Sequence, residues 1–156
     1  MRAVIQRVAR AELRVVEGDH ERVRAGFGAG VVALVGVAAG DIESDARWTG
    51  AKIASVRVFE DDAGKMNLGL AEVPESGVLV VPNFTVAGSA QKGRRPDFTG
   101  AMKPPEAQRL FNLVVECVRA ELGGTGVRVE TGVFGAHMRV RLTNDGPVTL
   151  VIESPG

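Results

Sequence analysis

The side chains of this sequence that could make or break a bond are few and scattered. Thr85, in the run Pro82-Asn83-Phe84-Thr85, carries a hydroxyl, but a hydroxyl attacks only when a base stands beside it, and no base is visible near Thr85. The two histidines, His20 and His137, lie far apart. A lone histidine beside a strand, as His137 is, reads as a surface or packing residue rather than a general base. Cys117 is the single cysteine, which excludes an intramolecular disulfide and fits a reducing compartment. It falls on the apolar side of a predicted helix, as a core thiol does. Asp61 and Asp62 sit in a turn and lack further acidic ligands at fixed offsets, so they read as turn residues rather than a cation site. No Cys/His cluster has metal-ligand spacing, and no cofactor fingerprint occurs.

Backbone and charge offer more. Gly26-Phe27-Gly28-Ala29-Gly30 superficially resembles a phosphate loop, but no Lys-Ser/Thr follows and the next segment is strand-like, so that reading fails on context. Lys92, Arg94 and Arg95 place three cations within four residues of one loop. Such a loop contacts phosphates or is merely solvated. The chain has 19 Lys+Arg against 19 Asp+Glu, so the overall field exerts no long-range pull on nucleic acid and any RNA contact must be local. Near the C-terminus, Asn144-Asp145-Gly146-Pro147-Val148-Thr149 separates two apolar-alternating runs, 138–142 and 148–152, and reads as the turn of a β-hairpin. A Gly-Pro pair there lacks one N–H and can project main-chain carbonyls outward without using a side chain.

These groups need a scaffold. The 156 residues, 45% hydrophobic and 24% charged, suit one domain, 1–156, with a real core. Strands are predicted at 2–8, 13–16 and 20–24, then at the continuous apolar run 31–37, which has the composition of a buried central strand. Asp41 is placed to N-cap a helix running to about Val56. A short strand is expected at 57–59, then a turn at 61–64 followed by 65–68, and a buried strand at 78–81 that hands over to the Pro82–Thr85 loop. Pro104-Pro105 opens the strongest helix, to about Leu122, with Ala107, Leu110, Phe111, Val114, Val118 and Leu122 on one apolar face. Strands at 127–130 and 138–142 follow. Two helices among many strands indicate a mixed α+β domain. No apolar run approaches membrane-spanning length and the N-terminus lacks a signal-peptide core, which predicts a cytoplasmic protein with no membrane partner.

Taken in order, Val4-Ile5-Gln6-Arg7-Val8, Gly64-Lys65-Met66-Asn67-Leu68, Phe84-Thr85, Gly93 with Arg95-Pro96, Phe98, Thr131 to Ala136 and Asn144 to Thr149 make the chain resemble the D-aminoacyl-tRNA deacylases, over almost its whole length. The resemblance implies a homodimer with a barrel-like β core, aminoacyl-tRNA as partner, no cofactor, and two sites at the dimer interface. It implies that Gly146 and Pro147, joined by a cis bond, enter the partner's site, capture the substrate's α-amino group and exclude an L side chain, while glycine passes. It implies a pocket formed with Pro82, Asn83, Met138, Asn144, Thr149 and Arg7, an oxyanion donor in the N–H of Phe84, Thr85 as a catalytic-position or hydrogen-bonding residue, and tRNA contact by Lys92, Arg94 and Arg95. Hydrolysis in that family is assisted by the 2′-hydroxyl of the terminal adenosine. The departure is at Pro82-Asn83, where the family has Ser-Gln. A related animal branch also has proline there, with a trans Gly-Pro bond and a pocket that admits some L-alanyl mischarged tRNA. Three readings follow: a D-aminoacyl-tRNA deacylase, a deacylase with relaxed selectivity, and a non-catalytic dimeric tRNA-binding protein.

Overall fold

In a computed structural model of the chain, residues 1–91 and 93–156 are described. Among them are eight strands and two α-helices in the order β1 (Arg2–Glu17), β2 (His20–Phe27), β3 (Gly30–Gly36), α1 (Glu43–Ser55), β4 (Phe59–Glu60), β5 (Met66–Leu68), β6 (Gly77–Pro82), α2 (Glu106–Glu121), β7 (Arg128–Thr131) and β8 (Met138–Glu153). The main sheet runs β2-β1-β3-β6-β7, with β8 also on β1. β1 is antiparallel to β2, β3 and β8, whereas β3, β6 and β7 are parallel to one another. The parallel strands are joined through α1 and α2, because parallel neighbours need a long crossover.

β1 is one strand where the sequence suggested two. Its buried positions run Ala3, Ile5, Arg7, then Val8, then Ala11, Leu13 and Val15. The alternation slips between Arg7 and Val8, and the register against β8 shifts at the same place. A slip in parity sends the side chains to the other face. Ala3 and Ile5 therefore join the core beneath the helices, and Val8, Ala11, Leu13 and Val15 join a second core. β3 and β6 are buried on both sides: Val31, Ala33, Val78 and Val80 face the first core, and Val32, Leu79 and Val81 the second. The sheet thus curls over itself into a nearly closed, barrel-like α+β fold, with the helices covering one face. The continuous apolar runs of β3 and β6 are what such two-sided burial requires.

The apolar face foreseen for the second helix is the one that packs: Ala107, Leu110, Phe111, Val114, Val118 and Leu122 are all buried. The first helix begins later than the sequence suggested. Asp41 is not its cap; its carboxylate accepts from Ala38 N–H at 2.6 Å and from the terminal ammonium of Met1 at 2.5 Å. Ile42 holds the cap position, and Asp45, inside the first turn, accepts from Ile42 N–H at 2.9 Å. Cys117 is half-buried beside Gly50 of α1.

The largest correction concerns 138–153. No hairpin forms there. Both runs pair with β1 in the same direction, Met138↔Val15 through Asn144↔Val8 and then Thr149↔Gln6 through Glu153↔Arg2. They are two parts of one strand, and residues 145–148 loop out between them. The alternation on either side of Asp-Gly matched a hairpin locally, but β1 is long enough to pair with both runs.

Two stability predictions follow. Thr49 is buried at 1% exposure, and its hydroxyl has no hydrogen-bond partner among the described residues. Thr49→Val should raise unfolding stability by about 1 kcal/mol, since an unmet buried hydroxyl is removed at nearly constant shape; equal or lower stability in urea unfolding would refute this. The Asp45 carboxyl is held below its ordinary pKa, chiefly by the Ile42 N–H and then by the Ser154 hydroxyl. A folded-state pKa below the unfolded one contributes stability that is present above about pH 4 and lost as pH falls through the lower folded value. Below about pH 4, Asp45→Asn should therefore lose stability less steeply with acid than the parent chain, measured by urea midpoints from pH 5 down to pH 2.

Candidate active site

At the C-terminal end of β6 the chain turns sharply. Pro82 pairs with Val35 as the last residue of the parallel ladder and has no N–H to give, so the next rung is supplied by Asn83, whose N–H donates to Val35 O at 2.8 Å. Asn83 then caps a short 3₁₀ turn, Phe84–Ala87: its Oδ1 accepts from Thr85 N–H at 3.2 Å and from the Thr85 hydroxyl at 2.7 Å. The Phe84 N–H has no hydrogen-bond partner among the described residues. The Phe84 ring is half-exposed and lies 5.5 Å from that of Phe98, tilted by 41°.

Beside this turn is a cavity of about 350 Å³, walled by Pro82, Asn83, Phe84 and Met138, with Phe111 of α2 and Phe134 opposite. Its size is that of a small-molecule site, and its lining is mostly apolar. Gly132 is what lets the wall close: a Cβ there would stand 2.9 Å from Pro82 Cδ and 3.0 Å from Met138 Sδ. The Met138 sulfur accepts from Val133 N–H at 3.2 Å. Met102, Pro104 and Ala107 also reach the cavity. Sequence reasoning took Phe111 and Ala107 as plain core, because a helical stripe does not say which part of a core is empty. Phe134 lay within a quoted motif but was given no role.

Thr85 is exposed and does not line the cavity. Its hydroxyl proton goes to an amide oxygen, which is not a base, so nothing here raises its nucleophilicity. His137 is exposed as well.

The second cluster is built on the loop-out of β8. The Gly146–Pro147 bond is cis. Gly146 has φ +115°, a region closed to most side chains, and a Cβ there would meet Val148 Cγ2 at 2.9 Å and an Arg7 guanidinium nitrogen at 3.0 Å. Arg7 is 7% exposed. Its guanidinium donates to Val58 O at 2.8 Å and to Asp145 O at 3.3 Å, and pairs with the Asp145 carboxylate at 3.2 Å. Asn144 closes the base of the loop, its Nδ2 donating to Gln6 Oε1 at 2.6 Å and to Arg7 O and Val148 O at 3.2 Å each. Thr149 donates its hydroxyl to the same Gln6 oxygen at 2.6 Å. The structure therefore brings Arg7, Asn144, Gly146, Pro147 and Thr149 together, and brings Pro82, Asn83, Phe84 and Met138 together, but as two separate groups. Neither Gly146 nor Pro147 lines the cavity of its own chain; both are exposed. Gln6 lay within a quoted motif but was given no role, and Val58 was missed, since a partner through a main-chain carbonyl leaves no mark in sequence.

A family model described as D-Tyr-tRNA(Tyr) deacylase matches residues 4–153. The chain belongs to that family. It is 51% identical over 156 residues to a D-aminoacyl-tRNA deacylase of Heliobacterium modesticaldum, covering 100% of this chain and 98% of that one. A D-aminoacyl-tRNA deacylase of Geobacter metallireducens is 48% identical over 155 residues, 99% and 97% of the two chains. Among solved structures, the c-Myc DNA Unwinding Element Binding Protein superposes with a TM-score of 0.87 at 34% identity over 100% of each chain. As a member of this deacylase family the chain carries both sets of residues quoted above, with Pro82-Asn83 at the turn.

The basic loop is closed by a two-way bridge between Ser89 and Asp97, at 2.8 and 2.7 Å, and carries Arg94 and Arg95 exposed at its tip. Lys92 lies outside the described residues.

Asn144 is the sharpest structural test of the loop-out. Three oxygens surround its Nδ2, so Asn144→Asp would set a carboxylate against acceptors alone. The cost should be about 3 kcal/mol or more in urea unfolding, larger than that of Asn144→Ala. An Asp variant as stable as the parent would show that this network does not hold the loop.

Proposed function

We propose that this deacylase hydrolyses the ester of D-aminoacyl-tRNA, water adding to the carbonyl carbon and the acyl C–O bond breaking to release a free D-amino acid and the tRNA 3′-hydroxyl. The observation that carries the mechanism is the separation of the two clusters. The cavity beside Phe84 is open, and the exposed Gly146–Pro147 segment, held by Arg7 and Asn144, lies outside it. A second copy of the chain supplies that segment in trans. In the homodimer, main-chain carbonyls at Gly146 and Pro147 accept from the substrate's α-ammonium and leave no room for an L side chain. A main-chain filter reads chirality and not side-chain identity, so glycyl-tRNA passes too.

The terminal adenosine occupies the apolar cavity against Phe84 and Met138. The N–H of Phe84 donates to the carbonyl oxygen as negative charge develops there. Thr85 and Asn83 shape the turn that aims this N–H. The terminal 2′-hydroxyl assists the proton transfer, which accounts for a site without a protein base. Arg94 and Arg95, with Lys92, contact tRNA phosphates. The enzyme works in the cytoplasm, where its substrate is made.

The test is a parallel hydrolysis assay on D-tyrosyl-, L-tyrosyl-, glycyl- and L-alanyl-tRNA. Cleavage of the first and third alone is expected; turnover of L-alanyl-tRNA would assign the relaxed selectivity that Pro82 suggests, and tRNA binding without any hydrolysis would leave only a binding protein. Gly146→Ala should lower the D/L discrimination at least tenfold, because its Cβ displaces the segment from Arg7. Unchanged discrimination in a folded variant would refute the filter.

A further inference from the structure

A groove of about 350 Å³ lies on the far side of Phe111 and Phe134 from the cavity, and these two side chains border both. Their rings stand 6.3 Å apart, centroid to centroid. One wall is the outer stripe of α2, where Gln108, Asn112, Glu116 and Arg119 are exposed one turn after another. Arg24 of β2 and the segment after β7 form the other. Neither Arg24 nor Arg119 makes an ion pair among the described residues, and Glu116 is the only carboxylate lining the groove. In a chain with no net charge this is a local excess of guanidinium donors, flanked by side-chain amides and separated from the cavity only by Phe111 and Phe134.

We infer that this groove takes the single-stranded RNA immediately 5′ of the terminal nucleotide, with Arg24 and Arg119 on successive phosphates and Gln108 and Asn112 on sugar or base edges. The inference rests on the deacylase reading, since it assumes that the terminal nucleotide fills the cavity. A guanidinium matches a phosphate in charge and in its forked geometry. Two walls carrying one arginine each suit a strand passing between them, and the groove's position next to the cavity, with Phe111 and Phe134 bordering both, suits a strand whose last nucleotide lies in the cavity.

The experiment measures binding of a fluorescently labelled, uncharged tRNA transcript by anisotropy at several salt concentrations, with thermal melts to confirm folding. The Arg24→Ala/Arg119→Ala double variant should bind about tenfold more weakly, and the steepness of log affinity against log salt should fall by about 1.4, at about 0.7 per single-strand phosphate contact. Glu116→Gln should bind more tightly. Turnover of D-tyrosyl-adenosine, which has no phosphate to contact, should stay within twofold in both variants. Unchanged tRNA affinity and salt slope in the folded double variant would overturn the assignment, as would an equal loss on D-tyrosyl-adenosine. If the parent chain hydrolyses neither D-tyrosyl-adenosine nor D-tyrosyl-tRNA, the deacylase reading fails, while the binding comparison still decides the groove.

Discussion

The pairing of β1 governs this molecule. Sixteen residues long, it lies between β3 and β8 in its first half and between β2 and β8 in its second. Halfway along, at Arg7 and Val8, its buried side chains change face, and one strand comes to serve two cores. The same place faces the stretch of β8 that loops out. A strand that changes parity cannot keep an unbroken ladder with a straight neighbour, and the mismatch is absorbed where Gly146 and Pro147 leave the sheet.

Arg7 follows from that geometry. Buried in the first core's margin, its guanidinium needs acceptors, and it takes a main-chain oxygen from Val58 on one side and from Asp145 on the other. Asn144 does the complementary task at the foot of the loop, spending both its hydrogens on three nearby oxygens. An exposed glycine-proline segment anchored by buried polar groups is rigid where free loops are not, and rigidity is what a filter made of main-chain atoms requires. The cavity has a different origin. It forms where the parallel strands β3 and β6 end beneath α2, a place where open α/β sheets commonly leave a crevice. That the Gly146–Pro147 segment lies outside this cavity is why the proposed mechanism calls for a second copy of the chain.

Much of this was legible in the residues. The runs 31–37 and 78–81 are apolar without alternation, and only strands covered on both sides have that composition; they are the centre of the sheet. The stripe from Ala107 to Leu122 marked α2 and its buried face. The motif residues identified the family and named most of both clusters. What misled was local pattern without knowledge of partners. Two alternating runs around Asp-Gly look like a hairpin until a strand long enough to pair with both is present. Asp41 looks like a cap until the chain terminus competes for its carboxylate.

The sequence by itself determined where most of the strand and helix segments lie, which face α2 buries and to which enzyme family the chain belongs, because period, composition and ordered motifs are properties of neighbours along the chain. Tertiary structure alone decided that residues 138–153 form one interrupted strand, that Gln6 and Val58 hold the loop-out, and that Phe111 and Phe134 divide a cavity from a charged groove. Each of these depends on the register between distant segments, and register is set by the packing of both cores at once, which no single stretch of sequence contains.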